Sequence, residues 1–230
     1  RRTGNVRMTV AYTLQFAEGT GSGANSALNL VNSGQPNLQS IFPYEYDQRH
    51  AFNIVFDYRF GEGKDYNGPT TKKGGQILKN LGLNIVANIG SGTPYSRQQY
   101  ATAEALINGQ NSGLEGSLNG SRKPWTYRID MQLDRTFNFK FGKDEDKKKV
   151  AFLNVYIRCT NLFNIINTLN VYRATGNPDD DGYLADARYQ NTIQSQLSEQ
   201  SFRDLYSMKA DNPFNYGIPR TIRLGVKFDF

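Results

Sequence analysis

The chemistry open to this chain is bounded first by its single histidine, His50, in 230 residues. One imidazole excludes a multi-histidine metal cluster or a histidine relay, and no Gly-x-Ser-x-Gly elbow is present to carry a nucleophilic serine. Neither enzymatic activity nor a bound cofactor is expected. Asn177-Pro178-Asp179-Asp180-Asp181-Gly182 sets oxygen ligands at alternate positions before a glycine, as a calcium loop opens. Its twelfth position, where a bidentate glutamate belongs, is Arg188. A solvated acidic loop is the simpler reading, and no metal ligand is assigned. The net charge of +6 and pI of about 9.3 raise nucleic acid as a partner. Yet the densest basic run, Lys143 to Lys149, is interrupted by Asp144, Glu145 and Asp146, a mixture that loop solubility explains, so no nucleic-acid partner is expected. Cys159 stands alone, which excludes an internal disulfide.

The elements that would position any site alternate with period two. Six segments do so over lengths that suit a bilayer crossing. In the first, Val6, Met8, Val10, Tyr12, Leu14 and Phe16 oppose Arg7, Thr9, Ala11, Thr13 and Gln15. The second sets Phe52, Ile54, Phe56, Tyr58 and Phe60 against Asn53, Val55, Asp57 and Arg59, and the third sets Leu81, Leu83, Ile85, Ala87 and Ile89 against Gly82, Asn84, Val86 and Asn88. The fourth is the longest, from Trp125 to Phe141, with Arg135 alone out of phase. The fifth runs from Ala151 to Cys159 and is less clean, because Phe152 and Tyr156 share the polar face. The last carries Ile222, Leu224, Val226, Phe228 and Phe230 opposite Thr221, Arg223, Gly225, Lys227 and Asp229.

Such strands fit a wall with hydrocarbon on one side and water on the other. A mean hydropathy of −0.61 is compatible with that wall, since only every second residue faces lipid. No helix can span, because the longest unbroken apolar run is Val150 to Leu153. The alternative is a soluble β-sandwich. Long connections alternating with shorter ones favour a barrel, where compact soluble domains keep connections near 4–6 residues. With the terminal strand ending in the periplasm, residues 17–50, 90–123 and 161–218 all fall outside the cell. Trp125 and Tyr127 then lie at the outer interface, and Tyr58, Phe60, Phe139, Phe141, Phe228 and Phe230 at the inner one. Arg7, Arg59, Arg128, Arg158, Arg223 and Lys227 point to the lumen beside Asp57, Asp130, Asp134 and Asp229. Six strands are too few to close, so the expected fold is all-β, one antiparallel transmembrane barrel sector over residues 1–230, completed by further strands. Arg1-Arg2-Thr3-Gly4 runs directly into the first strand, as expected of a mature, trimmed or interior amino terminus.

Four strings at strand ends carry a resemblance: Pro43-Tyr-Glu-Tyr-Asp-Gln-Arg-His50, Gly90-Ser-Gly-Thr-Pro-Tyr-Ser96, Asn161-Leu-Phe-Asn164 and Tyr216-Gly-Ile-Pro-Arg220. With the terminal Phe, their order resembles the carboxyl-terminal barrel of TonB-dependent outer-membrane receptors, in particular the SusC-like and carboxypeptidase-regulatory-like branch. The resemblance implies a barrel of about 22 strands around an amino-terminal plug, with TonB-driven import of a nutrient held by the outer loops. It also implies Leu224, Gly225, Val226, Phe228 and Phe230 as a β-signal for the barrel-assembly machinery, the lipid bilayer as solvent, and a surface lipoprotein lid as a partner. The alternative is a structural or docking barrel component without transport of its own.

Local readings accompany the strings. Gly92, Pro94, Gly217 and Pro219 suit places where strand pairing ends. Asp47 and Arg49 read as a loop anchor beside His50 rather than as substrate contacts. Tyr95, Tyr100, Tyr183 and Tyr189 are of a type that stacks on sugars. Residues Tyr183 to Met208 carry loose helical spacing, and a short helix there would cap substrate, contact a lid or pack on neighbouring loops.

Overall fold

A computed structural model of the chain describes residues 2–21, 23, 25, 28, 31, 32, 40–101, 113–141 and 149–230. Six long strands dominate: β1 (Val6–Leu14), β2 (His50–Arg59), β3 (Leu81–Gly90), β4 (Thr126–Phe141), β5 (Lys149–Thr160) and β6 (Thr221–Asp229). Each pairs antiparallel with its neighbours in sequence, an up-and-down meander. The sheet is open. At one edge β1 meets only the two-residue strand Arg2–Thr3, at Val6 and Arg7, and at the other β6 pairs with β5 alone.

The register keeps the two faces chemically distinct across the whole sheet. Val6, Tyr58, Leu83, Leu133, Ile157 and Leu224 are successive cross-strand partners, and so are Met8, Phe56, Ile85, Met131, Cys159 and Ile222. Between these rows, on the opposite face, run Arg7, Asp57, Asn84, Gln132, Arg158 and Arg223. A slip of one residue at any pairing would set polar side chains among apolar ones, so the alternation itself fixes the register.

Neither face carries a core of its own. On the apolar face Met8, Val10, Ile157, Leu224 and Val226 are all exposed, Leu224 to 73%. The one large apolar side chain buried completely among the described residues is Ile193, which lies outside the sheet in a short helix, residues Gln190–Gln194. Arg135 falls on the apolar face, between Leu81 and Val155 in register. Its guanidinium lies 5.1 Å from the centre of the Phe137 ring, and its Nε is buried without a hydrogen-bond partner. Among the described residues no helix is long and apolar enough to cross a membrane.

The long connections, 15–49, 91–125 and 161–220, share one end of the sheet, while 60–80 and 142–148 share the other. The basic run expected at Lys143 to Lys149 lies, apart from the backbone of Lys149, outside the described residues. Two small antiparallel pairs extend the outer loops, Glu18–Gly19 with Phe42–Pro43 and Pro94–Tyr95 with Ser121–Arg122. The last loop folds into helices α1 (Gln190–Gln194) and α2 (Glu199–Ala210). The fold is therefore mostly β rather than all-β, and two helices stand where one was expected. Ser198 separates them, because its hydroxyl accepts the Ser201 amide and caps α2.

Candidate functional site

Asp47 organises the rim at the end of the sheet that carries the long connections. It is fully buried, and its Oδ1 accepts the Ala17 amide at 2.9 Å. Its Oδ2 takes Arg49 Nε at 3.4 Å and a shorter bond from Arg122, whose Nη1 also donates to the carbonyls of Asp47 and Gly92. Burial pushes the Asp47 carboxyl up, but the hydrogen bonds from Ala17, Arg122 and Arg49 outweigh it and hold its pKa below the ordinary value of 3.8. Arg49 continues outward to Glu18 at 2.8 Å. The expected Asp47 to Arg49 tie is present, and Arg122 is the stronger partner. Seventy-five residues separate it from Asp47 in sequence, and no local pattern connects the two.

The four strings of the resemblance meet in two pairs around this rim. Gln48 donates to the Ser91 carbonyl, and the His50 amide donates to Ser91 Oγ at 3.0 Å. A Cβ at Gly92 would lie 1.6 Å from the Lys123 carbonyl oxygen, so only glycine admits that crossing. In the second pair the Asn161 amide group donates to the carbonyls of Ile165 and Ile218, while Asn164 Oδ1 accepts the Arg220 amide at 2.9 Å. Asn161 and Asn164 both take positive φ, +54° and +52°, which asparagine tolerates better than most residues. Asn167, not singled out in the sequence, pairs both ways with the backbone of Tyr127 at 2.8 Å and prolongs the β4 ladder after β5 has turned away.

On the polar face a recess of about 870 Å³ opens beneath the loops, lined by Asn53, Asn84, Asn88, Gln132, Arg158 and Arg223 among others. Arg128 donates to both oxygens of Asp130 at 3.1 Å, and the Asn161 amide donates to Oδ1 of the same carboxylate. Arg158 donates from Nε and Nη2 to Gln132 Oε1 at 2.9 and 2.7 Å. Deeper, Arg59 reaches Asp134 at 3.0 Å, and Asn154 bridges Asp134 and Thr136. Lys227 pairs with Asp229 at 3.0 Å. This wall presents hydrogen-bond donors and acceptors to the recess. Among the described residues no three His, Cys, Asp or Glu side chains are placed to hold a metal ion.

The acidic run Asn177 to Gly182 turns the chain. Asp181 is buried, with Oδ1 accepting the Tyr183 amide at 2.9 Å and Oδ2 accepting the Tyr206 hydroxyl at 2.5 Å, while Asp180 Oδ1 accepts the Gly182 amide. Tyr183 is itself buried between the rings of Tyr189 and Tyr206, at 4.3 and 4.8 Å, so it is not available to stack on a ligand. Burial, then Tyr189 and Asp181, push its phenol above its usual value. The Tyr189 hydroxyl donates to the Ala101 carbonyl, and the Arg188 guanidinium lies 4.0 Å from the Tyr100 ring. Tyr95 packs at the outer rim, its hydroxyl 2.6 Å from where a Cβ on Gly176 would sit.

His50 joins an aromatic cluster on the apolar face at the end that carries the long connections. It stacks on Trp125 at 5.8 Å and shares a 3.0 Å hydrogen bond with the Tyr12 hydroxyl. At the other end Tyr58–Phe60, Phe139–Phe141 and Phe228–Phe230 pair their rings. Leu224, Val226, Phe228 and Phe230 are exposed on the apolar side of β6 or just beyond its end. Gly225 faces the polar side, beneath the Tyr156 ring, where a Cβ would come within 2.2 Å of that ring. Comparison of the chain with protein-family models, with curated proteins and with solved structures finds no match in any of the three.

Proposed function

We propose that this chain is a sector of an outer-membrane β-barrel, of the type seen in TonB-dependent receptors, and that it takes part in importing a nutrient. One observation carries the reading: two apolar rows run across all six strands and are largely uncovered, while the row between them is polar. Water would penalise such a surface at about 25 cal/mol per Å², whereas hydrocarbon favours it. A soluble sandwich would need a second layer on that face, and no described segment supplies one. The open edges of β1 and β6 call for further strands, since unpaired amides do not face lipid. In this reading the braced outer loops receive the solute, the polar wall lines the lumen or meets a plug, and the work is gated passage without bond chemistry.

The test is made on the complete gene product expressed in a bacterium with an outer membrane. Expected are an outer-membrane location, heat-modifiable electrophoretic mobility and solute uptake that stops when the inner-membrane proton gradient is collapsed. A protein recovered in the aqueous fraction would sink the barrel. A folded barrel with no gradient-dependent uptake would leave a structural or docking role in its place.

A further inference from the structure

The inner row Arg7, Asp57, Asn84, Gln132, Arg158, Arg223 begins with opposite charges side by side and ends with like ones. Arg158 and Arg223 are direct partners on β5 and β6, where Cβ atoms lie about 4.5–5.5 Å apart and like charges repel. The nearby acids each hold another partner by hydrogen bond or ion pair, and of these Asp130 also attracts Arg158 across space. Asp130 holds Arg128 and the Asn161 amide, Asp134 holds Arg59 and Asn154, and Asp229 holds Lys227. Arg158 is oriented by a neutral oxygen of Gln132 that uses Nε and Nη2 and leaves Nη1 open, and Arg223 has no side-chain hydrogen bond or ion pair among the described residues.

We propose that Arg158 and Arg223 form an oxyanion site, taking a carboxylate or phosphate group of a soluble ligand. The Arg223 fork and the open Nη1 of Arg158 on the adjacent strand offer N–H donors to the oxygens of such a group, and the bound charge offsets their mutual repulsion. The pair sits two residues below Thr160 and Thr221, the outer ends of their strands, or roughly 7 Å along the strand. It is therefore reached directly from the outer mouth. The same recess holds Asn84 and Asn88, whose side-chain amides have no partner among the described residues and would take the uncharged hydroxyl or amide groups of the ligand. The site rests on the reading above that this face meets water.

Equilibrium dialysis of radiolabelled inorganic phosphate and succinate against the complete gene product in detergent, at low salt, tests it, with glucose as the uncharged control. Phosphate or succinate is expected to bind, the stronger of the two showing which oxyanion fits. R158Q and R223Q are each expected to weaken binding about tenfold, the loss of one charge-assisted bond. R223K keeps the charge without the fork and should fall between, which holds the comparison open should R223Q fail the heat-modifiability check for folding. No oxyanion binding to the unaltered protein, or equal binding by the double variant R158Q/R223Q, overturns the site; the first is also the outcome if an acidic side chain elsewhere in the barrel occupies the pair. Dialysis needs no energised uptake. Binding without uptake sinks the import reading alone, and uptake without binding sinks this site alone.

Discussion

Leu133 offers the sharpest test of which solvent the apolar face meets. It stands midway along β4 between Tyr127 and Phe139, six residues from each, which at about 3.3 Å per residue and a tilt of about 45° is roughly 14 Å to either aromatic row. The two rows would then stand roughly 28 Å apart, close to the thickness of a bilayer's apolar core, with Leu133 at its midplane. Leu83 and Ile157 flank it in register, so a cation placed there finds no polar neighbour on its own row. Leu133→Arg is expected to cost about 2–4 kcal/mol, whereas Tyr127→Arg and Phe139→Arg, at the interfaces, should cost no more than about 1 kcal/mol. Gln132→Arg, one residue away on the polar face, loses the acceptor for Arg158 and adds a like charge beside it, yet should cost no more than about 1 kcal/mol because that face meets water. The measurement is reversible folding of the complete barrel into lipid vesicles in denaturant. At about 1.4 kcal/mol per decade, the Leu133 variant should shift the folding equilibrium by about 30-fold to 1,000-fold. A flat profile along Tyr127, Leu133 and Phe139, or equal costs at positions 132 and 133, would refute the lipid assignment. A buried soluble core has no reason to grade its penalties by distance from an aromatic belt.

Four further outcomes follow from particular contacts. Arg135→Leu should raise stability in the same vesicle assay by about 1–3 kcal/mol, because it removes a buried unpaired Nε from the apolar face; a loss of stability would mean that the guanidinium over Phe137 is structurally required. Gly225→Val should cost about 1–3 kcal/mol by driving a side chain into the Tyr156 ring, and Tyr156→Ala in the same molecule should recover part of it, as read from denaturation midpoints. Asp47 has a folded pKa below 3.8, so its contribution to rim stability is complete above pH 3.8 and disappears as the pH falls through the lower folded value. Protease cleavage of the outer loops should accelerate over that acid window in the unaltered protein and be insensitive to it in D47N. Ile193→Ala should cost about 2–5 kcal/mol of local stability, seen as faster amide exchange in α1 and α2 with the strands unchanged.

The six strands were legible because apolar and polar side chains alternate along each of them with few exceptions, and that signal is local. Even the polar phase of Tyr156 has a legible cause after the fact. Tyr156 covers Gly225 on the next strand, so the irregularity on β5 and the glycine in β6 are two halves of one contact. The rim was only half legible. Asp47 and Arg49 sit two residues apart and suggest each other, whereas Arg122 comes from another loop and is brought in by the small pairing of Pro94–Tyr95 with Ser121–Arg122. The tyrosines of the last loop looked like ligand contacts because side-chain type says nothing of burial. Tyr183 is spent on a local core with Ile193 instead.

The Arg158 and Arg223 juxtaposition belongs to a third category, present in the sequence but silent until the register is known. Both lie in the polar phase of their strands, and 65 residues separate them. The ladder alone decides whether each arginine faces an acid, as Arg7 faces Asp57, or another arginine. Structural charges on a hydrated wall tend toward complementary neighbours, because complementarity is free to evolve at every register position and repulsion is destabilising. The like-charged pair draws only on Asp130, which is hydrogen-bonded elsewhere and attracts Arg158 across space, so a counter-charge from outside the sheet would relieve it further, as proposed above. The proposal puts an oxyanion at the end of β5 and β6 that carries the long loops, whereas the ion pairs Arg59–Asp134 and Lys227–Asp229 lie toward the opposite end.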